Sequence, residues 1–278
     1  MDHVLIKEGE VVTGRPYYNN KSYTPGNSVR DVMINETLVI FSRKWAITMA
    51  LEVLLAQAYP RRSIIAVYDL TQLMSVLREH PRTPVVLGFR PHEHVAELNW
   101  LQPMLSSRAV LFVGRCFYWT DYRLPEYFGL VTYMFCSWES LHSPFSRRVE
   151  LWNFIQMSVE GKDDNLPPDA DEPVNPDMTE TCILEKANRW LNRALTSAGL
   201  TKYEIQVLSL MSEGHNMNLP SRVRSLHKNN GLYKLGMNKH IMNLYRGVKV
   251  RSVLQTGLPL LSEDVMENSR PLRKEAGP

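Results

Sequence analysis

Cysteine is scarce in this 278-residue chain, with three at positions 116, 136 and 182 and no CxxC pair. Neither a disulfide framework nor a thiolate metal site can be built from them, which points to a reducing compartment. No apolar run approaches the ~18 residues of a membrane helix. The opening MDHVLIKEGE lacks the basic n-region and apolar h-region of a secretion signal. The expectation is a soluble, cytoplasmic protein. Gly-rich phosphate loops, a GxSxG elbow and an HExxH pair are also missing. His92-Glu93-His94 lacks the spacing that sets two imidazoles on one helix face, and reads as a solvated loop. The sequence therefore predicts no catalytic residue, no cofactor, no metal and no small-molecule ligand.

What is present is an ordinary globular balance, 44% hydrophobic and 22% charged, with length for two domains. The net charge of +3 conceals a segregation. Residues 1–161 are nearly neutral at +1, with 16 cations against 15 acids. Residues 162–181 hold one cation against seven acids, and residues 182–278 hold 15 cations against 7 acids, a net +8. The acidic stretch carries four prolines and almost nothing apolar, so it cannot offset its ordering entropy and reads as a linker. Two independently folding units are expected around it, the second one basic.

Residues 1–36 show no sustained periodicity and read as an irregular arm. From Leu38 the pattern is regular. Leu38–Phe41, Ile64–Val67, Val85–Leu87, Ala109–Val113 and Leu130–Phe135 are short apolar runs suited to buried strands. Between them apolar residues recur at helical spacing, as in Ile47, Leu51, Leu54 and Leu55, and a last helix is expected near Arg147–Val159. Five strands alternating with helices over residues 37–161 imply a parallel doubly wound sheet.

The order and size of this unit resemble the receiver domain of bacterial response regulators, a flavodoxin-like fold that accepts a phosphoryl group on aspartate. That chemistry needs acids after the first strand for Mg²⁺, an aspartate ending the third strand and a lysine after the fifth. The chain has Ser42-Arg43-Lys44, Gly88 and Cys136-Ser137-Trp138 at those places. The resemblance thus implies a pseudo-receiver whose input is not phosphorylation. Cys116–Trp119 and the aromatics of Phe145–Phe154 read as core or docking surface.

Beyond the linker, residues 182–257 read as all-α. Ile183, Leu184, Ala187, Trp190, Leu191, Ala194 and Leu195 form one helical stripe ended by Gly199. Thr201 caps a second helix closed by Gly214, a third spans Arg222–Leu235, and a fourth Lys239–Leu254. Residues 258–278 form a tail.

Leu200-Thr201-Lys202-Tyr203-Glu204-Ile205-Gln206-Val207-Leu208 with Gly214 is similar to the LTxRExEVL opening of the LuxR/NarL helix-turn-helix. His227 through Gly236, HKNNGLYKLG, is similar to the HxxNIxxKLG end of its recognition helix. A pseudo-receiver joined to this domain resembles the auxiliary regulators RcsA and BglJ, which heterodimerise with the response regulator RcsB. The overall expectation is α/β plus all-α: a flavodoxin-like pseudo-receiver followed by a small helix-turn-helix domain. The implied partners are double-stranded DNA and a second copy or an RcsB-like regulator.

A helix in the major groove needs polar or cationic side chains toward bases, with Lys and Arg toward phosphates. Arg222, Arg224, Ser225, His227, Lys228 and Asn229 supply such a face, with Lys239 beyond. The family position of Lys234 implies contact with backbone phosphate, and the helix after Gly236 implies the dimer contact. One departure stands out. Gly214 and His227 are 13 positions apart, about seven fewer than in the family, which removes about two helical turns around the scaffold helix. Gly231 also replaces a core isoleucine. Two functions remain open: a DNA-binding transcription regulator, or an interaction protein that modulates a related regulator without reading DNA.

Overall fold

Short apolar runs flanked by polar residues build the sheet, because each can be buried on both faces under crossover helices. The computed structural model describes residues 37–160, 178–215 and 219–255. Strands β1 (Leu38–Phe41), β2 (Ile64–Val67), β3 (Val85–Leu87), β4 (Ala109–Gly114) and β5 (Thr132–Ser137) pair in parallel in the order β2-β1-β3-β4-β5. This is the flavodoxin-like doubly wound order. The first three strands fall where the apolar runs predict them, whereas β5 begins two residues later than expected, at Thr132.

The period of two along each strand sorts the core into two layers. Val39, Phe41, Val85, Leu87, Val110 and Phe112 face α2 (Leu70–Glu79), α3 (Val95–Leu105) and α4 (Trp119–Tyr127). Leu38, Ile40, Val86, Leu111, Val113 and Met134 face α1 (Trp45–Ala58) and α6 (Pro144–Glu160). A short α5 (Trp138–His142), not anticipated from periodicity, precedes α6 and is capped by the Ser137 hydroxyl accepting from Ser140 N.

The second unit comprises α7 (Glu180–Ser197), α8 (Lys202–Ser212), α9 (Ser221–Lys234) and α10 (Ile241–Gly247). α7 starts at Glu180, capped by Thr179, slightly before the expected boundary. Of its stripe, Ile183, Leu184, Ala187, Leu191 and Leu195 are buried, each large side chain contributing roughly 1.5–3 kcal/mol, while Trp190 and Ala194 are half-buried. Gly199 and Gly214 close α7 and α8 with φ of +82° and +80°, the left-handed conformation that favours glycine. The fourth helix is shorter than the expected 239–254: it stops at Gly247, and a 3₁₀ turn follows at Ser252–Leu254.

α7 packs on α3 and α4, and one apolar cluster runs without a break from the sheet through α7 into α8, α9 and α10. Tyr127 of α4 packs its ring against Trp190 of α7 at 5.8 Å. The expected arm (1–36), residues 162–177 of the linker and the tail (258–278) lie outside the described residues. Among the described residues no helix is long and apolar enough to cross a membrane.

Candidate nucleic-acid interface

Thr201 and Glu204 organise the basic unit. The Thr201 hydroxyl accepts from Glu204 N at 3.3 Å and Glu204 Oε2 accepts from Thr201 N at 2.7 Å, a capping box that satisfies two orphan donors of α8. The same Glu204 oxygen accepts from Lys234 Nζ at 2.8 Å, and Lys234 also donates to the Gly199 carbonyl at 3.0 Å. Burial works against the charged form of Glu204, but Lys234 and Thr201 outweigh it and hold its carboxyl below the ordinary value. The Lys234 ammonium thus ties the end of α9 to the start of α8. That is a structural duty the expected phosphate contact did not include.

α9 is 14 residues long and contains four Lys/Arg, one His and no acid. Gly231, Leu232 and Leu235 turn inward. Arg222, Leu226, Asn230 and Tyr233 fall on the opposite face at helical spacing, and all four are exposed. Sequence reasoning named Arg222 but missed Leu226, Asn230 and Tyr233, because the family alignment drew attention to charges rather than to the helix's outward edge.

The remaining predicted residues are divided. Ser225 and Lys239 are exposed. Arg224 and Lys228 are half-buried, on the side of α9 that leads to Leu232 and Leu235. The His227 ring stacks on Tyr203 of α8, centroids 5.8 Å apart at 26°. Asn229 keeps its Oδ1 buried with no hydrogen-bond partner among the described residues. The six side chains therefore do not form one outward face.

Among the described residues no helix lies between Ser212 and Ser221. Gly231 has a local reason. A Cβ there would stand 2.8 Å from Leu208 Cδ1, so the α8 leucine occupies the space a side chain would need.

One side of α10 is docked on the α/β unit, while Ile241 at its start is exposed. Arg246 Nη1 reaches Glu93 Oε1 at 2.9 Å, and the Arg246 carbonyl accepts from Thr120 Oγ1 at 2.8 Å, which docks α10 on α4. Gln255 completes the joint by accepting from Val95 N at 2.9 Å and donating to the His92 carbonyl at 2.8 Å. The 92–94 segment is thus no solvated loop. His92 is wholly buried, with its Nδ1 2.8 Å from Asp121 Oδ1, and His94 Nδ1 lies 2.7 Å from Glu97 Oε2. Asp121, three residues past Tyr118 at the cap of α4, accepts from both Tyr118 N and His92 N.

The acceptor position of the receiver-like unit is closed. Gly88 N donates to the Phe41 carbonyl at 2.8 Å, and a Cβ on Gly88 would lie 2.6 Å from Ile47 Cγ2 and 3.0 Å from Leu51 Cδ1 and Ser42 Cβ. Arg43 turns to Glu97 at 2.7 Å. Among the described residues no group of three or more His, Cys, Asp or Glu could hold a metal ion.

No family model matches this chain, and no curated protein matches its sequence. Among solved structures it is similar to RcsB in a structure of two RcsB dimers bound to two parallel DNAs, at 14% identity and TM-score 0.47, covering 76% of this chain and 96% of that one. It is also similar to full-length FixJ from B. japonicum, at 16% identity and TM-score 0.32, covering 76% and 94%. A third similarity is to the response regulator StyR, at 16% identity and TM-score 0.31, covering 76% and 96%.

Proposed function

We propose that this chain is a non-enzymatic regulator of transcription that binds double-stranded DNA through α9. It acts as a homodimer or paired with an RcsB-like regulator, without control by aspartyl phosphorylation. The observation that carries the reading is α9 itself, a helix with four cations and no acid whose outer face is exposed. Such a helix is shaped and charged for the major groove, where phosphate neutralisation supplies most of the affinity. Arg222 and Asn230 offer base-edge hydrogen bonds, and Leu226 and Tyr233 offer apolar contact to thymine methyl groups. The closed Gly88 site supports the independence from phosphorylation.

The test is fluorescence anisotropy of the full chain on mixed duplex DNA across salt. Each phosphate contact the domain makes predicts roughly a 3.5-fold loss of affinity between 50 and 200 mM salt. Binding that is absent at low salt overturns the reading.

A second reading is favoured by Leu226 and Tyr233 on the outer face and by the absence of a helix between Ser212 and Ser221 among the described residues. In it the protein modulates a related regulator without reading DNA, and α9 meets protein. Salt-dependent binding that emerges only when that partner is added would favour it.

A further inference from the structure

The face of the sheet opposite the basic unit is covered by α1 and α6, and α1 is apolar on both of its sides. Its inner side packs Leu51 and Leu55 into the layer beneath. Its exposed side carries Trp45, Met49 and Val53 at successive turns, with three alanines and Gln57. No charge stands on that side, because Glu52, the only charged residue of the helix, is half-buried. A surface helix has a polar outer face, whereas one that is apolar all round is buried. Phe145, Val149 and Trp152 extend the patch across α6, which the Tyr59 hydroxyl ties to the end of α1 by donating to the Leu151 carbonyl. Trp45, Phe145 and Trp152 are 68%, 79% and 51% exposed, which leaves on the order of 400 Å² of ring surface in water. A patch of this size on one face marks an interaction surface.

We infer that the chain covers this face itself, by laying the arm of residues 1–36 along α1 and α6. The arm starts at the right edge. Leu38 pairs with Ile64, six residues beyond the end of α1 at Ala58, so the chain before Thr37 leaves the sheet beside the last turn of α1. It also has the reach. Extended from Thr37, Ile34 and Val29 lie about 10 and about 26 Å away, against about 21 Å for the whole of α1. The residues within that reach match the patch, since Val29, Val32, Met33 and Ile34 are four apolar side chains in six positions. Two other segments fit less well. Residues 162–177 follow α6 at the same edge but are acidic and proline-rich. Residues 256–278 follow Gln255, which is held at the start of α3 by Val95 and His92, in the opposite layer. A tether of a few residues gives the arm an effective concentration that a free partner reaches only at millimolar levels.

The test is thermolysin cleavage of the full chain between Val32 and Ile34, followed by mass spectrometry across a series of protein concentrations. The apolar side chains there are both the protease's targets and the contacts inferred for the arm. Cleavage of a docked segment follows the fraction of time it spends open. The expected result for the natural chain is slow cleavage at a rate independent of protein concentration. Val53→Asp on α1, Phe145→Asp on α6 and Val29→Asp on the arm should each speed it at least about tenfold, because each sets a carboxylate against apolar surface. Val53 and Phe145 are exposed on their helices, so amide exchange in β1 and β3 should stay as in the natural chain, which separates release of the arm from unfolding. Equal cleavage in the natural chain and the variants overturns the inference. Protection that fades on dilution also overturns it, since a second copy would then be the cover. DNA takes no part in the measurement, so the proposed function is judged separately.

Discussion

Arg246 of the basic unit and Glu93 of the α/β unit meet at 2.9 Å, and Glu93 is shared with Arg90, whose Nε donates to its other oxygen at 3.0 Å. Two guanidinium groups on one carboxylate fix α10 against the loop that leads into α3. Both Arg246 and Glu93 are about one-fifth exposed, so solvent screens the pair only in part. Arg246→Ala should lower stability to urea by about 1 kcal/mol. It should also speed amide exchange in residues 92–95 and 241–247 relative to β1. Equal exchange in both variants would mean that Gln255 and the apolar contacts alone hold the joint.

Gly88 sets a second test. Restoring an aspartate there should not restore a phosphoacceptor. The Cβ would meet Ile47 and Leu51, both on α1, and relieving the overlap should cost ~1–3 kcal/mol. Gly88→Asp is expected to melt at lower temperature, and neither it nor the natural chain should show a mass shift on incubation with acetyl phosphate. A stable acyl-phosphate adduct on either would refute the closed-site argument.

The sheet was legible because its strands are short apolar runs, and Leu38–Phe41, Ile64–Val67 and Val85–Leu87 end where their polar neighbours begin. The caps at Thr201, Gly199 and Gly214 were equally plain, since each rests on backbone chemistry within a few residues. Contacts across long sequence separation were not legible. Nothing local pairs His92 with Asp121 or Arg246 with Glu93, so the buried His92 read as solvated. Charge alone also misplaced the outer face of α9. The inward side is fixed by Gly231 and Leu232 meeting α8, and that turns Arg224 and Lys228 partly inward while presenting Leu226 and Tyr233.

Glu204 and Glu213 give the basic unit a pH dependence with a definite sign. Lys234 and Thr201 hold the first carboxyl below its ordinary value of 4.5 against the effect of burial, and Lys249 holds the second below it. A carboxylate depressed on folding contributes stability that is present above about pH 4.5 and is lost as pH falls through the folded-state value. The natural chain should therefore lose urea stability on acidification below pH 4.5. Lys234→Ala should be less stable at pH 7, by about 1 kcal/mol given its partial exposure, and should lose less on acidification. An unchanged acid slope in this variant would remove the Lys234–Glu204 pair as its source.

Under the proposed function, the division of α9 separates residues available to DNA from residues that hold the helix. Arg222 stands on the exposed face with Leu226, Asn230 and Tyr233, whereas Lys234 is bound to Glu204 and Gly199. Arg222→Ala should leave the melting temperature unchanged and reduce the salt slope of DNA binding by about one if it meets phosphate, or cost ~1–3 kcal/mol of discrimination if it reads a base. Tyr233→Ala should weaken binding without changing the slope, because it removes apolar contact and no charge. Lys234→Ala should instead lower stability and weaken binding on every sequence alike. If Arg222→Ala and Tyr233→Ala both bind DNA as the natural chain does, the outer face of α9 does not meet DNA, and its exposed leucine and tyrosine belong to a protein partner.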